Sequence, residues 1–391
     1  MSRVEKIIIR NILNSNGGYA VEADMILADG QMGRASSPVA ILPGRREKHT
    51  TSSQHKAAFF LSDICQLQGR EYDQKSWDLE LEKHLDQWGT DITLALSLAF
   101  ARAAAGTRHM ELEEYIRMCG GVPKRKPDFS ILVPVFSAGV HNPELGGSLQ
   151  QIMMSVPCRE IWETITCIRD LYTFLEESVK RAGHFLGYSS SSGFLTEGMS
   201  VEDELSFLSE VIEKKGKENQ VTIALDVAAE HFFSGNGYIF YHRAMDAETL
   251  GGMIQGWALR FPISYIEDPF DSSDERQWRL LRQELKGRAL LLSDDLSATQ
   301  MQFLDREIAD GVILKMKQVG TLSGTLQTGE KAGKYGMKTC VSHRSHETED
   351  TFICDLGIAM GADYMKIGGP RRGDRTEKYN QLIRILEKYP Q

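Results

Sequence analysis

Val341-Ser-His-Arg-Ser-His-Glu-Thr-Glu-Asp-Thr-Phe352 packs His343, Arg344, Ser345, Glu347, Glu349 and Asp350 behind a single β-branched residue. The run before it, Gly336-Met-Lys-Thr-Cys-Val341, is short, largely apolar and opens on glycine, so the two together read as a buried strand passing into the start of a helix. A helix cap accounts for Ser345 and the acids behind it, which satisfy free backbone N–H groups and complement the helix dipole. It does not account for His343 and Arg344. These two mark the strand tip as a functional face.

Working outward from this tip, short apolar runs alternate with helical patterns from Phe129 onward: Ile131 to Val135, Val221 to Leu225, Ile263 to Ile266, Leu290 to Leu292, Val312 to Leu314, Thr339 to Val341 and Tyr364 to Met365. Roughly 260 residues of such repetition predict an α/β fold with a closed, parallel TIM-like (βα) barrel. Each later run ends on a polar residue, namely Asp226, Glu267, Asp294, Lys315, His343 and Lys366. Strand C-termini in a parallel barrel meet at one face, so these six groups are expected in one pocket despite their separation.

Upstream, residues 4 to 42 alternate apolar and polar, with turns at Asn16-Gly17-Gly18 and Asp29-Gly30, and read as a β-hairpin or meander. Helical patterns follow over Ala57 to Leu67, Ser76 to Trp88 and Asp91 to Ala105. These elements predict a smaller α+β N-terminal domain over residues 1–125, capping a barrel domain over residues 126–391. The boundary falls in Gly120-Gly-Val-Pro-Lys-Arg-Lys-Pro127, whose bases read as a solvated linker.

The chain has 391 residues, 41% of them hydrophobic, enough for a large core. Its net charge of -9 disfavours binding to a nucleic-acid backbone, and any anion must meet a local basic site. Six cysteines are scattered without a CxxC pair, which indicates neither a zinc site nor a disulfide framework and suits reduced thiols. No apolar h-region opens the sequence and no run approaches a membrane span, so a cytoplasmic protein without membrane contact is expected.

Asp226, Glu267 and Asp294 bring three carboxylates to the pocket. Three like charges repel unless a cation sits between them, and all-oxygen ligation selects a hard ion such as Mg²⁺. Asp268 and Asp295 are adjacent competitors for the same role. Lys315 follows Val312-Ile-Leu314, so its amine is expected to be desolvated beside a cation, with a lowered pKa suited to a general base. Lys317 is its exposed alternative. Arg344 and Ser345 pair a guanidinium with a hydroxyl, which suits an oxyanion, and His343 is a neutral or cationic hydrogen-bond donor.

The stretch around His343 resembles the His-Arg-Ser-Gly-Glu-Thr-Glu-Asp signature of the enolase family, with His346 where that family has glycine. Tyr364-Met-Lys-Ile-Gly-Gly-Pro370 and Arg10-Asn-Ile-Leu-Asn-Ser-Asn-Gly-Gly-Tyr-Ala-Val-Glu22 are also similar to family segments. The resemblance selects Glu267 and Asp294 as Mg²⁺ ligands beside Asp226, and Lys315 over Lys317 as the base. It makes Arg344 and Ser345 phosphate ligands and Lys366 the lysine that binds the substrate carboxylate. A lysine base working with Mg²⁺ is a known property of that superfamily and is not something the spacing shows. His141 corresponds to the family's loop histidine with a one-residue shift. Arg10, Glu22, Arg384 and Glu387 stand where the family has intersubunit ion pairs, which implies a homodimer.

The resemblance breaks at two places. Val39-Ala-Ile-Leu-Pro-Gly44 replaces a hydroxyl-rich lid that ligates a second metal, and the two acidic glutamates are replaced by Gln151 and Ser191. Neither replacement can donate a proton at a useful pKa; Glu197 and Glu230 are nearby acids, and the serine run around Ser191 also reads as a flexible loop. The resemblance therefore implies a Mg²⁺-dependent lyase acting on 2-phosphoglycerate or a close phospho- or phosphono-glycerate, by lysine-catalysed proton abstraction. The alternatives are an enolase-like protein with little turnover, kept as a binding partner, and, less favoured, an acid-sugar dehydratase.

Overall fold

The structure, a computed structural model, describes residues 1–41, 44–48, 60–122, 127–139 and 148–389. The alternating N-terminal stretch forms β1 (Ser2–Leu13), β2 (Tyr19–Leu27) and β3 (Met32–Ser37), which with β4 (Glu71–Tyr72) make an antiparallel sheet of order β3-β2-β1-β4. Asn14 shapes the first turn, its Oδ1 accepting from the N–H groups of Asn16 at 2.9 Å and Gly18 at 3.1 Å, while Gly17 takes φ +76°. Of the helix expected over Ala57 to Leu67, the described part is α1 (Leu61–Cys65). The helix expected from Ser76 to Trp88 is two pieces, α2 (Gln74–Glu82) and the start of α3 (Leu85–Thr107), and α3 kinks where Gly89 takes φ +78°. The Ala- and Leu-rich body of α3 lies under β2 and β3, and α4 (Leu112–Gly120) completes this layer.

The expected boundary between residues 125 and 126 lies outside the described residues. Beyond it come β5 (Phe129–Ser137), β6 (Gln151–Cys158), α5 (Ile161–Arg181), a hairpin of β7 (Phe185–Tyr188) and β8 (Phe194–Thr196), and α6 (Val201–Lys214). There follow β9 (Thr222–Asp226), a small hairpin of β10 (Tyr238–Phe240) and β11 (Arg243–Met245), α7 (Ala247–Arg260), β12 (Ile263–Glu267), α8 (Glu275–Glu284) and β13 (Leu290–Ser293). The chain ends with β14 (Gly311–Leu314), α9 (Met316–Val319), α10 (Leu322–Lys334), β15 (Lys338–Ser342), α11 (Phe352–Met360), β16 (Tyr364–Lys366) and α12 (Gly373–Leu386). Strands β5, β6, β9 and β12 to β16 form a closed TIM-type barrel, sealed by parallel pairing of β16 with β5.

The barrel is not wholly parallel, which corrects the expectation. The strand that the spacing missed, β6, runs antiparallel to both β5 and β9, with Gln151 opposite Asp226. As β6 pairs antiparallel to β5, the two do not form a βα unit, and no βα punctuation marks it. Because β6 runs backwards, its first residue stands at the face where the other strands end. Inside, Leu132, Met153, Ala224, Tyr265, Leu292, Ile313 and Cys340, one from each of seven strands, fill the barrel with a packed layer.

Nor does a helix start at Ser345. Residues 343–351 form a loop and α11 begins only at Phe352, because the acids hold backbone groups elsewhere. The Asp350 carboxylate accepts from the N–H of Ser36 on β3 and of Phe352, at 2.9 and 2.8 Å, and from both terminal nitrogens of Arg102 on α3. Lys317 is buried, pairing with Asp91 at 2.5 Å and Thr90 at 2.9 Å, and so is not the exposed alternative its sequence context suggested. Both contacts join the N-terminal layer to the barrel. All six cysteines are free thiols, and among the described residues no helix is long and apolar enough to cross a membrane.

Gly33 on β3 is pressed against α3, where an added Cβ would meet the Ala99 carbonyl oxygen and the Ala103 nitrogen well inside contact distance. Helix backbone cannot yield as a side chain can. Gly33→Ala is therefore expected to lower stability by about 1–3 kcal/mol in urea unfolding; an unchanged midpoint would show that sheet and helix are free to separate.

Candidate active site

Asp226 and Glu267 are the last residues of β9 and β12 and lie opposite each other in register. Asp294, Lys315 and His343 directly follow β13, β14 and β15, and Lys366 ends β16. One pocket at this face is lined by Asp226, Asp294, Lys315, His343, Arg344, Ser345 and Lys366, with Gln151 and Ser191 across from them. Glu267 is buried just behind that wall, and His141 lies outside the described residues. The pocket also takes in Glu47, Gln150, His231 and Asp295. Nothing in the spacing pointed to Glu47 or His231, whereas Gln150 and Asp295 are neighbours of residues already singled out.

The carboxylates and lysines meet directly. Lys366 Nζ donates to Asp226 Oδ2 at 2.6 Å and to Glu267 Oε2 at 2.9 Å, and the Tyr265 hydroxyl donates to the latter oxygen at 3.3 Å. Lys315 Nζ pairs with Asp294 Oδ2, while Gln318 Nε2 donates to Oδ1 at 2.9 Å. Burial pushes the Glu267 carboxyl up, Asp226 adds to it, and it stands at about 7. For Asp294, burial also acts upward, but Lys315 and Arg344 outweigh it and the carboxyl is lowered.

Lys315 corrects the expected sign. Burial is the largest single influence and does lower its pKa, but the Asp294 and Glu267 carboxylates act together against it and the amine is held above its ordinary value. The sequence argument set the amine beside a cation; in the folded chain its nearest charge is an anion.

Asp226, Glu267 and Asp294 offer carboxylate oxygens from three neighbouring strand ends, a donor set that fits a hard divalent ion. Burial, with Asp226 adding to it, keeps the Glu267 carboxyl raised to about 7 even though Lys366 and Lys315 act against it. Among the described residues, the acids whose oxygens all fall within 4.8 Å of one another are Asp268, Asp294 and Asp295. Asp268 is already committed, because its two oxygens accept the backbone N–H groups of Asp294 at 2.9 Å and Asp295 at 2.8 Å. It shapes the turn that presents Asp294.

On the opposite wall, the Arg344 backbone N–H donates to Glu347 Oε1 at 2.8 Å, and its Nη2 donates to Glu47 Oε1 at 2.7 Å. Its Nη1 is buried without a hydrogen-bond partner among the described residues, as is Glu47 Oε2. Glu347 in turn pairs with Lys378 at 3.1 Å. The signature acids thus build the turn, while His343, Arg344 and Ser345 face the pocket. Val39 and His346 exchange backbone hydrogen bonds at 2.9 and 3.0 Å, so the start of the segment that replaces the family's lid is tied to this turn.

The two positions expected to carry acids are bonded to each other. Gln151 Nε2 donates to Ser191 Oγ at 2.7 Å, and both side chains are buried. Ser191 is therefore packed and hydrogen-bonded. Gln150 Nε2 reaches Asp226 Oδ2 at 3.3 Å, and both Gln150 Oε1 and Gln151 Oε1 are buried without a hydrogen-bond partner among the described residues. Of the substitute acids, Glu230 is engaged by Arg45 at 3.0 Å and Glu197 is exposed away from the pocket.

Residues 132–391 match the profile of the enolase C-terminal TIM barrel domain. The chain is 30% identical to the enolase of Elusimicrobium minutum, across 99% of this chain and 96% of that protein. It is also 30% identical to the enolase of Kineococcus radiotolerans, across 99% of this chain and 95% of the relative. With the enolase barrel domain matched over residues 132–391 and relatives matched over nearly the full length, the chain belongs to the enolase family.

Proposed function

We propose that this chain is a lyase of the enolase type that acts on 2-phosphoglycerate or a close phospho- or phosphono-glycerate, with Lys315 removing the carbon-bound proton. The observation that carries this reading is the placement of Lys315 and Asp294 across one pocket from Arg344, His343 and Ser345. A substrate anion held by Arg344 and Ser345, with its carboxylate on Lys366, would lie between the base and these donors. Asp226, Glu267 and Asp294 would hold Mg²⁺, which supplies positive charge to the oxygens that become anionic when the proton leaves. Lys366 and Lys315 would release the carboxylates they now hold. Lys315, freed from Asp294, would lose a contact that raises its pKa, and burial would then favour the unprotonated amine that a base must be.

Gln151 and Ser191 donate hydrogen bonds but no acidic proton, so this pair would orient a leaving hydroxyl without protonating it. The same hydrogen bond favours a second reading, in which the protein enolises or binds its ligand with little elimination and serves as a binding partner. A homodimer is a further part of the proposal, resting on the positions of Arg10, Glu22, Arg384 and Glu387. Within one chain Arg10 pairs with Glu22 and Asp24, and Glu387 accepts from the Trp162 indole at 3.1 Å, so dimer contacts would exchange partners.

In calorimetry, Glu267→Gln is expected to weaken Mg²⁺ binding at least tenfold, whereas unchanged affinity would remove these three acids as the metal site. Light scattering at micromolar protein should give twice the mass of one chain; a monomer would count against the dimer. In D₂O with Mg²⁺, exchange of the carbon-bound proton of 2-phosphoglycerate should outrun product formation, because loss of an acid typically costs about 10²- to 10⁴-fold. Lys315→Ala should abolish exchange, and the double change Gln151→Glu with Ser191→Glu should raise elimination. Absence of both exchange and elimination would favour the binding reading.

A further inference from the structure

We propose that Arg375, in the first turn of α12, is a positioning residue that holds His343 as a neutral imidazole with its proton on Nε2, so that the pocket presents a fixed hydrogen-bond donor to a substrate oxygen. The inference rests on the reading of this pocket as the substrate site, but the groups that carry it belong to the chain alone.

Arg375 has a fully buried side chain. Its Nη1 lies against His343 Nδ1. A guanidinium carries only donors and stays protonated, so Nδ1 must accept with its lone pair, and the ring proton is left on Nε2. Protonating His343 would set one N–H against another and place a cation beside a cation. The other groups that face the ring make the same demand: Lys366 from β16, Lys315 from β14 and Lys378 from α12 are all cations. The nearby carboxylates are committed elsewhere, Glu347 to Lys378 at 3.1 Å and Asp374 to Arg375 Nε at 3.0 Å. Burial and then these cations hold the imidazole well below its ordinary range.

Arg375 also fixes the main chain around the ring. Its Nη2 donates to the carbonyls of Ser345 at 2.8 Å, Arg344 at 3.2 Å and Ser190 at 3.1 Å, so one guanidinium ties the turn that carries the anion ligands to the turn that carries Ser191. Gly368, at φ +92°, makes room for it, since a Cβ there would lie 2.6 Å from Arg375 Cδ. A lysine could supply the charge but not a planar fork reaching several acceptors. The chemical consequence is specific. Neutral His343 can bind a phosphoryl or carboxylate oxygen, but it has no acidic proton to give to a departing hydroxide, so the acid for elimination must come from elsewhere.

The test is a titration of the full-length, ligand-free protein labelled with ¹⁵N-histidine, from about pH 5 to about pH 9, with the His343 signals assigned by their loss in His343→Gln. The expected spectrum shows Nε2 protonated, Nδ1 bare and no titration across that range. In Arg375→Gln the tautomer is no longer fixed and both singly protonated forms of the ring should appear, while Arg375→Lys should keep the proton on Nε2. A wild-type ring with its proton on Nδ1, or one titrating near 6.5, overturns the proposal, as does an Arg375→Gln spectrum identical to wild type. If Arg375→Gln does not fold, the wild-type spectrum still decides. Because no substrate is present, failure of the proposed lyase reaction leaves this result untouched, and the reverse holds as well.

Discussion

Burial of several carboxylates at one end of the barrel is the constraint on which the rest of this structure depends. Asp226, Glu267 and Asp294 stand on neighbouring strand ends where water is largely excluded, and Asp268 and Asp295 lie beside them. Charges removed from water must be met by other charges or by hydrogen bonds. Lys366 answers two of the acids, Lys315 and Gln318 answer Asp294, and backbone N–H groups answer Asp268. Burial still outweighs these partners at Glu267, whose carboxyl is raised.

The opposite wall has the inverse composition. Arg344, Arg375 and Lys378 are cations, and Glu47, Glu347 and Asp374 are the acids that pair with them. Glu47 arrives on the 44–48 segment, where Arg45 pairs with Glu230 at 3.0 Å and Arg46 donates to the Leu296 carbonyl at 2.6 Å. With the Arg102–Asp350 and Lys317–Asp91 pairs, such contacts make the N-terminal layer part of the pocket's frame. Buried, hydrogen-bonded pairs of this kind fix geometry more than they add stability.

Between the two walls, Gln151 and Ser191 place a neutral amide and hydroxyl that bond to each other, in the pocket lined by Asp226, Asp294, Lys315, Arg344 and Lys366. Neither side chain is ionisable near neutral pH, so this side of the pocket adds no charge to the acids that Lys366 and Lys315 meet.

The sequence by itself determined the barrel class, because short apolar runs at regular spacing can be buried only as strands wrapped by helices. It also determined which residue ends each of the later strands, because one polar residue after an apolar run has only the strand tip at which to reach water. It could not reveal β6, since an antiparallel return carries no helix to announce it, and so it could not show why Gln151 reaches the same face as Asp226. Partners were equally out of reach. Nothing in the order of residues says that Glu47 meets Arg344 across 297 positions, that Arg375 faces His343, or that Lys315 rests against Asp294. Those meetings set the protonation of the site, and only tertiary structure decided them, because the sign of a buried group's pKa shift depends on which charge folding places beside it.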